Sequence, residues 1–429
     1  MKKIITYGTF DMFHEGHYNI LKRAKSYGDY LIVAVTGESY DIGRGKLSVR
    51  DSLATRMENV KASGFADEII VEEYLGQKIS DIIKYGVDAF VIGDDWRGKF
   101  DHLSEYCEMI YLPRTEGISS TQIREETFDK HHIGIIADRC DDNTLVSDAP
   151  RVAGFDVTSV FSESQELADE FKETFGIAGA YTDLGDFLAN VDTVYINTTL
   201  ADRYRYIKEA LLSGKHVISD VPFTIDTDKE KELLELAEEK GLILMHNLKN
   251  LHTQVFIQLL WMAKAGLIGD IYRIDCSASK TDRRIKHRFY ELTASALSTV
   301  LNIMGTEYTG IEKRVIREND SIEYMSMTIA YPGTEVIINI GNKIRVGNKI
   351  EIVGSKGTIS LGNNWWRADS FTLLPVEDDQ EKVFRVNYDG NGFKFIIKDM
   401  AIMMKESRSE YRLMNKELDL KITEILQEI

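Results

Sequence analysis

Two histidines stand three residues apart near the start of the chain, in the stretch "YGTFDMFHEGHYNILKRAK". An apolar run precedes them and an amphipathic pattern follows, so we predict that a strand ends at Tyr7 and a helix begins near Gly16. The free N–H groups and positive dipole end of a helix N-terminus bind phosphate. His14 and His17 would reach that place from either side of the first turn and donate hydrogen bonds as charge builds on a phosphate. This pattern predicts phosphoryl or nucleotidyl transfer, in which positioning and charge stabilisation dominate.

Three further stretches within residues 1–126 could bind phosphate. "GRGK" places Arg44 and Lys46 close together in an otherwise acidic chain. "GDDWRGKFD" follows a predicted strand, at the edge where α/β sheets bind ligands. In "PRTEGISSTQIREE", Ser119 and Gln122 fit a capping box at a second helix N-terminus. Each stretch alone is weak evidence, and two histidines at this spacing also occur on ordinary surfaces, so the prediction depends on all of them occurring together.

Composition excludes several classes of protein. A chain of 429 residues is long enough for two or three domains. Its formal net charge of −17 argues against a general nucleic-acid binder, which needs a basic face. The three cysteines are scattered without a CxxC motif, so neither a disulfide framework nor a zinc site is indicated. The opening residues do not resemble a signal peptide and no run of 18 apolar residues occurs, so we expect a cytoplasmic protein with no membrane partner.

The elements that must position these residues follow from periodicity. Strand and helix patterns alternate through residues 1–126, which predicts a parallel sheet with helices on both faces. The alternation starts again near residue 130. Beyond about residue 270 the pattern becomes β-rich, with helices predicted at about 290–305 and 393–427, which favours a largely antiparallel sheet. We predict an α/β protein with a Rossmann-like domain at 1–128, a second Rossmann-type unit at 129–265 and a C-terminal α+β domain at 266–429.

The first domain resembles a known family. "GTFDMFHEGH" is similar to the GTFD-x-x-H-x-G-H signature of cytidylyltransferases in the HxGH nucleotidyltransferase superfamily, and "GDDWRGKFD" and "YLPRTEGISST" resemble its glycerol-3-phosphate branch. The resemblance implies that CTP and an alcohol phosphate give a CDP-alcohol and pyrophosphate, with Mg²⁺. By family analogy the product would serve surface polysaccharides or teichoic-acid-type polymers. A phosphocholine acceptor ranks lower, because the last two stretches favour glycerol phosphate.

The resemblance also implies roles for single residues. His14, His17, Lys46 and Arg114 would be catalytic, while Arg44 and Lys78 would hold the acceptor phosphate. Arg44 stands where the family usually has lysine, which keeps the charge and changes the geometry. Asp11 is either structural or assists the metal. The residues expected around CTP are Thr9, Phe10, His14, Gly16, His17, Lys46, Asp95, Trp96, Arg114, Thr115, Gly117, Ile118, Ser119, Ser120 and Thr121.

The rest of the chain, from residue 131 to about 425, resembles the Gfo/Idh/MocA oxidoreductases. The similar stretches include "HIGIIA", "AYTDLGDFLANVDTVYINTT", "ALLSGKHVISDVPF" and "KAGLIGDIYRI". That family binds NAD(P) and transfers a hydride to or from a sugar-like carbon. Glu163 would then either bind a ribose or be an ordinary surface acid. His246, Lys249 and His252 would either line the former substrate cleft or be solvated.

Three departures from that family's pattern make NAD(P) binding doubtful. Side chains and carboxylates replace the glycine loop, where they block and repel a pyrophosphate. Val221, in "DVP", stands where the family has a proton-transferring lysine. Glu291 and Ser295, in "ELTAS", align with its Asp and catalytic His. The residues at the glycine-loop positions are Ala137, Asp138, Arg139, Cys140, Asp141 and Asp142.

The sequence therefore favours a cytidylyltransferase acting on glycerol phosphate or a similar small polyol phosphate. Its second part would be a degenerate oxidoreductase-like domain with a scaffolding, dimerising or ligand-sensing role. Two alternatives stay open. One is a bifunctional NAD(P)-dependent polyol-phosphate reductase and cytidylyltransferase, and the other is a regulatory scaffold that binds a nucleotide without turnover. We expect a homodimer or higher homo-oligomer, which both families commonly form.

Overall fold

A computed structural model describes most of the chain in two compact units. The first unit comprises Met1–Asp129 and Val152–Gly154, and the second comprises Lys130–Arg151 and Phe155–Ile429. The side chains of Asp95 and His102 are not described. The described residues are 1–37, 49, 51–73, 77–98, 100–113, 130–140, 144–152, 154–280, 288–319, 321–362, 364–377, 380–385 and 390–429.

A five-stranded parallel sheet forms the centre of the first unit. Its described elements are β1 Lys3–Gly8, α1 Glu15–Lys25, β2 Tyr30–Thr36, α2 Leu53–Ala62, β3 Glu68–Glu72, α3 Gln77–Tyr85, β4 Ala89–Gly93 and β5 Glu108–Leu112, with 3₁₀ turns at Asp94–Trp96 and Asp101–Glu105. The strand order is β3–β2–β1–β4–β5. β1, β2 and β4 are apolar runs with consecutive buried residues, as expected of strands covered on both faces.

The strand order of this sheet reverses between β1 and β4, which are neighbours in space. At such a switch point the connections after the two strands diverge and leave a crevice at their carboxyl ends, where α/β sheets bind ligands. The connection after β1 carries His14 and His17, and the connection after β4 carries Asp94–Trp96. The fold therefore positions the predicted motifs at one edge of the sheet.

The second unit begins with a six-stranded parallel sheet of order β11–β10–β9–β6–β7–β8. Its switch point lies between β6 and β9. The elements are β6 His131–Ala137, α4 Thr144–Asp148, β7 Phe155–Phe161, α5 Gln165–Phe175, β8 Gly179–Tyr181, α6 Leu184–Ala189, β9 Thr193–Asn197, α7 Leu200–Leu212, β10 His216–Ser219, α8 Thr227–Glu239, β11 Leu244–His246, α9 Lys249–His252 and α10 Gln254–Lys264, with a 3₁₀ turn at Ala149–Arg151.

An eight-stranded sheet completes the second unit, in the order β13–β14–β15–β12–β16–β17–β18–β19. Only β12 and β15 pair in parallel among these described strands. Buried residues alternate along β14, because one face of the sheet packs on the core. The elements are β12 Ile271–Ser279, α11 Arg288–Met304, β13 Gly310–Glu318, β14 Ser321–Tyr331, β15 Thr334–Gly341, β16 Ile350–Gly354, β17 Gly357–Leu361, β18 Ser370–Pro375, β19 Lys382–Arg385, α12 Phe393–Lys405 and α13 Lys416–Gln427, with a 3₁₀ turn at Trp365–Arg367.

The predicted fold class is confirmed: two parallel α/β sheets are followed by a largely antiparallel sheet. The prediction of one helix over 393–427 is wrong, because α12 and α13 are separate. Ser407 has a left-handed backbone with φ of 53° just beyond α12, and the Asn415 side chain accepts a hydrogen bond from Leu418 N–H at the start of α13. Within the described ranges, every helix is too short or too polar to span a bilayer.

Candidate functional site

His14 begins the helix at the end of β1. It is the N-cap of α1, with an extended backbone (φ −129°, ψ 176°), and its Nδ1 accepts a hydrogen bond from Gly16 N–H at 3.1 Å. A neutral imidazole whose Nδ1 accepts carries its proton on Nε2, so His14 presents an N–H donor there. The first turn adds its own N–H groups and the positive end of the dipole. This N-terminus of α1, from His14 to His17 and called the helix mouth below, therefore has groups that can bind an anion.

The rings of His14 and His17 lie face to face at this helix mouth. Their centroids are 3.9 Å apart and their planes are inclined by 23°. Aromatic rings enclose His17 further, since its centroid lies 5.5 Å from that of Phe10 and 5.6 Å from that of Phe13. Both histidines are only partly exposed. Packing therefore holds two stacked imidazole rings at the helix N-terminus, and each ring has nitrogens that can donate a hydrogen bond.

The loop between β1 and α1 has an unusual backbone. Phe10 and Met12 have φ angles of 55° and 48°, in the left-handed region that non-glycine residues rarely adopt. A Cβ at Gly8 would lie 2.9 Å from the Phe10 ring, so glycine lets this ring fold back against the strand end. Backbone strain of this kind is found where a site must hold groups in place.

Two aspartates stabilise this loop. Asp11 is 1% exposed, and its Oδ1 accepts a hydrogen bond from Asp51 N–H at 2.9 Å. Asp51 Oδ2 in turn accepts from Met12 N–H at 3.0 Å. Of the two roles considered for Asp11, these contacts support the structural one.

Arg56 is a site-supporting residue that the sequence reasoning missed. It lies on α2, is fully buried, and its Nη1 donates to the carbonyl oxygens of Thr9 at 2.8 Å and Thr36 at 2.7 Å. It therefore ties the end of β1 to the end of β2. Its spacing from Leu53 and Val60 places it on the core-facing side of an amphipathic helix, and an arginine at such a position is the signal that could have revealed it.

Lys78, predicted to hold the acceptor phosphate, lies in a polar cluster beside β1. Its Nζ forms an ion pair with Glu72 and lies 4.5 Å from the ring centroid of Tyr7. Tyr7 donates to Asp81 Oδ2 at 2.9 Å. Burial, and then Asp81, raise the pKa of Tyr7, so its hydroxyl stays protonated. Lys78 is thus at the same sheet edge as the histidines, but it already has a carboxylate partner.

The remaining predicted residues fall into two groups. Trp96 lies in the turn after β4 and stacks on Phe100 with centroids 5.5 Å apart, so it belongs to the strand end next to β1. The described residues Thr9, Phe10, Gly16 and both histidines are brought together at the end of β1. Outside the described residues lie Arg44, Lys46, Arg114, Thr115, Gly117, Ile118, Ser119, Ser120, Thr121 and the side chain of Asp95.

Two acidic residues follow strands near the switch point of the second unit, and each has an arginine partner. Asp138 follows β6, pairs with Arg139 at 2.9 Å, and its Oδ2 accepts from Thr199 N–H at 2.6 Å. Glu163, beyond the end of β7, accepts from Arg205 at 2.6 Å and from the Tyr206 hydroxyl at 3.0 Å. The pyrophosphate of a dinucleotide would lie next to the Asp138 carboxylate, between the loops after β6 and β9, and the negative charges would repel one another. These described residues therefore do not fit a dinucleotide.

Val221, where the resemblance places a lysine, packs in the hydrophobic core and is 6% exposed. Next to it, the buried Arg203 donates to Glu291 Oε1 at 2.6 Å and lies 3.9 Å from Asp220 Oδ2. Ser295 Oγ donates to the Glu291 carbonyl at 2.8 Å. The carboxylates of Asp220 and Glu291 therefore both pair with the Arg203 guanidinium. At the positions aligned with the family's lysine and histidine, this chain has Val221 and Ser295.

The three residues of "HNLKNLH" separate in the structure. Lys249 lines a cavity and donates to Thr144 Oγ1 at 2.7 Å. His246 and His252 are buried and lie 2.7 Å from oxygens of Asp419 and Asp399.

His246 and Asp419 form, with the buried Glu230, the group of possible metal ligands found among the described residues. Burial, and then Asp419, raise the pKa of Glu230 well above its usual range, so a protonated Glu230 can share its proton with Asp419.

Comparison with known proteins agrees with the geometry of the first unit. Residues 5–126 match the model of the cytidylyltransferase-like family. With the helix mouth and paired histidines, this defines the class of protein as a nucleotidyltransferase. The chain is 53% identical over 126 residues to the glycerol-3-phosphate cytidylyltransferase of Bacillus spizizenii, a match that covers 29% of this chain and 97% of that enzyme. The chain belongs to the cytidylyltransferase-like family.

The second unit matches a different set of proteins. Residues 128–248 match the model of an oxidoreductase family with an NAD-binding Rossmann fold. A dTDP-3,4-didehydro-2,6-dideoxy-alpha-D-glucose 3-reductase of Streptomyces violaceoruber is 35% identical over 122 residues, which are 28% of this chain and 35% of that enzyme. A 3-ketoreductase of Actinomadura kijaniata, solved with TDP-benzene and NADP, is similar with a TM-score of 0.61 and 21% identity, covering 70% of this chain and 97% of the other. The likeness shows a shared fold, and both predicted family resemblances are confirmed.

Proposed function

We propose that the first unit transfers CMP from CTP to glycerol phosphate or a similar small polyol phosphate. An oxygen of the acceptor phosphate attacks the α-phosphorus of CTP. The bond from that phosphorus to the bridging oxygen breaks, and pyrophosphate leaves with the electron pair. The products are a CDP-polyol and pyrophosphate.

The observation that carries this proposal is the stacked pair His14 and His17 at the mouth of α1. Negative charge grows on the phosphate oxygens during the displacement, and donors already in place stabilise that charge without reorganisation. His14 offers Nε2–H because its Nδ1 is occupied by Gly16. The identity to glycerol-3-phosphate cytidylyltransferase over the same residues supports CTP and glycerol phosphate as the substrates.

The family implies Mg²⁺ at this site. Among the described residues of the first unit, no three side chains form a group of possible metal ligands, and Asp11 instead supports the loop. These residues do not fit a metal held by protein side chains alone. Since Mg²⁺ is commonly bound through substrate phosphates and water, CTP itself would bring it.

The test is release of pyrophosphate from CTP with a panel of polyol phosphates and with phosphocholine. We expect glycerol phosphate or a near relative to give the highest kcat/KM. CTP binding without pyrophosphate release from any acceptor would instead support a regulatory scaffold.

A second candidate function is reduction of a keto-sugar phosphate by the second unit. The match of residues 128–248 to an NAD-binding family favours it, and so does the NADP in the similar 3-ketoreductase structure. Asp138 and the buried Val221 argue against it. We propose a unit that does not use NAD(P). Saturable NADH or NADPH binding to the full chain, followed by oxidation with a keto-phosphate, would overturn this proposal.

A further inference from the structure

Three side chains that can ligate a metal meet in the interior of the second unit. Glu230 lies on α8, His246 ends β11 and Asp419 lies on α13. One possible ligand atom from each residue lies within 4.8 Å of the others, and the residues are 0%, 4% and 5% exposed. None of them lines the cavity that contains Glu291 and Ser295, so this group is separate from the positions aligned with the oxidoreductase family's catalytic residues.

The negative charge of this group has no cation to balance it. Across the described residues, neither Glu230 nor Asp419 forms an ion pair with a lysine or arginine, and Asp419 pairs with His246 alone. Lys416, one turn before Asp419 on α13, contacts Glu238 at 3.2 Å instead. Two ionised carboxylates beside a neutral imidazole would leave two negative charges in the interior, which is costly unless a cation is bound there.

Polar atoms of the same group lack hydrogen-bond partners. In the part of the chain that the structure describes, both carboxylate oxygens of Glu230 and Nδ1 of His246 are buried without a partner. The backbone N–H of Thr224 lies near Glu230 without meeting hydrogen-bond geometry. Buried polar atoms in native proteins nearly always have a partner. The Glu230 carboxylate, which lies beside Asp419, therefore points to a cation among the three residues.

The spacing of the three residues suits a metal ion. Ligand atoms around a tetrahedral zinc ion lie roughly 3.4 Å apart, because zinc bonds to nitrogen and oxygen are about 2.0–2.2 Å long. The observed spacings, from 2.7 Å between His246 Nε2 and Asp419 Oδ1 to the limit of 4.8 Å, bracket that value. The imidazole is held by stacking on Phe223, with ring centroids 3.6 Å apart. Small adjustments of the two carboxylates therefore suffice to form the site.

A cavity adjoins the group and leaves room for water. Its volume is about 90 Å³, and His246 and Asp419 are among its lining residues. One water molecule needs only about 10–15 Å³ of such volume. Water can thus complete the coordination by three protein ligands, as in zinc sites that keep an open position.

We propose that Glu230, His246 and Asp419 bind one divalent transition-metal ion, for which Zn²⁺ is the best fit. Zinc accepts an imidazole nitrogen and carboxylate oxygens as ligands, whereas Ca²⁺ and Mg²⁺ prefer oxygen ligands throughout. The ion displaces to solvent the protons that these groups otherwise share. It joins α13 to α8 and β11, so its role is to hold α13 against the parallel sheet. The site does not depend on the transfer proposed for the first unit.

The test uses the full chain, stripped of metal with a chelator and then dialysed against Zn²⁺ or Mg²⁺. Elemental analysis measures bound zinc, and thermal unfolding measures Tm. We expect Zn²⁺, but not Mg²⁺, to raise the Tm of the second unit by roughly 5 °C or more, because the ion binds only the folded state.

Variants locate the zinc ion, since the paired histidines of the first unit can also bind zinc. Glu230→Gln keeps the size of the side chain and removes its charge, and we expect it to bind one zinc ion fewer than the unaltered chain. Glu239→Gln removes an exposed carboxylate from the same helix and is the matched control.

Each outcome decides the proposal. One zinc ion fewer and no zinc-dependent rise in Tm in Glu230→Gln, with both retained in Glu239→Gln, support it. If Glu230→Gln does not fold, His246→Gln is judged by the same two measurements. An unaltered chain that binds no zinc overturns the proposal, and so does equal zinc binding by the unaltered chain and Glu230→Gln. A Tm that Mg²⁺ raises as much as Zn²⁺ does overturns the choice of a transition metal.

Discussion

At the scale of single residues, His14 has two roles that one substitution can separate. The imidazole caps α1 through Nδ1 and offers a donor through Nε2. Asparagine is also a good N-cap but cannot place a donor where Nε2 lies. The pair His14→Ala and His14→Asn therefore distinguishes loss of the cap from loss of the donor.

We predict that His14→Asn and His17→Ala each lower kcat by roughly 10² or more while CTP affinity changes little, because the donors act on charge that develops in the transition state. His14→Ala should lose, in addition, about 1 kcal/mol of stability through the missing cap. Steady-state kinetics measures kcat, and CTP titration measures the affinity for CTP. Equal losses in kcat and CTP affinity would show that the rings bind the ground state instead.

Lys78 needs a paired design, because its partner Glu72 is 1% exposed. Lys78→Met alone leaves a buried carboxylate without its cation, and we expect a loss of about 3–5 kcal/mol in the free energy of unfolding. Adding Glu72→Gln should restore most of that stability. The acceptor KM of the double variant should stay raised by about tenfold relative to Glu72→Gln, with the KM for CTP unchanged. If the acceptor KM of the double variant equals that of Glu72→Gln, Lys78 has a structural role and does not bind the acceptor.

At the scale of elements, the spacing of apolar residues predicts the strands and most helices, but it does not predict which side chains pair with one another. The apolar run of β1 and the amphipathic pattern of α1 predict the helix mouth, which begins at Glu15. The pairing of Lys78 with Glu72 joins residues on α3 and β3, and no local pattern predicts it. The break near Ser407 was missed because the apolar spacing continues on both sides of it.

The contact of Arg56 with two strand ends is likewise a tertiary feature. Arg56→Ala removes the hydrogen bonds that Nη1 donates to the buried carbonyls of Thr9 and Thr36. At about 1–3 kcal/mol for each group, we expect about 3 kcal/mol less stability and a lower kcat, because the loop before α1 loses its anchor. Chemical denaturation measures the loss of stability, and steady-state kinetics measures kcat. Lys61→Ala, an exposed position on the same helix, should change stability by less than about 0.5 kcal/mol. A stable Arg56→Ala enzyme would show that the loop is held in another way.

At the scale of the whole molecule, the distribution of charge matters more than its sum. Two places of this acidic chain concentrate positive or hydrogen-bond-donating groups: the mouth of α1 with its imidazoles, and a cavity of the second unit lined by Arg139, Lys249, Lys280, Arg288 and Arg367. The family resemblance predicted the first of these. The second could not be predicted, because its five cations are distant in sequence and meet only in the folded unit.

Two buried lysines of the second unit make its stability depend on pH. Burial first of all lowers the pKa values of Lys249 and Lys280 to about 8, so both are charged below pH 8 and lose protons above it. We predict that their contribution to the free energy of unfolding rises between about pH 8 and 10.5, because the unfolded chain then binds more protons. Chemical denaturation at both ends of this range measures the rise, which should be smaller in Lys280→Met. An equal rise in the unaltered chain and in Lys280→Met would contradict the prediction.

The hydrogen bond from Gly16 to His14 has one more consequence. A proton on Nδ1 of His14 would remove the acceptor of the Gly16 N–H, so the cap of α1 and the tautomer that presents Nε2–H depend on the same nitrogen. The exchange rate of the Gly16 amide hydrogen with heavy water would report how often this hydrogen bond opens, with no substrate present.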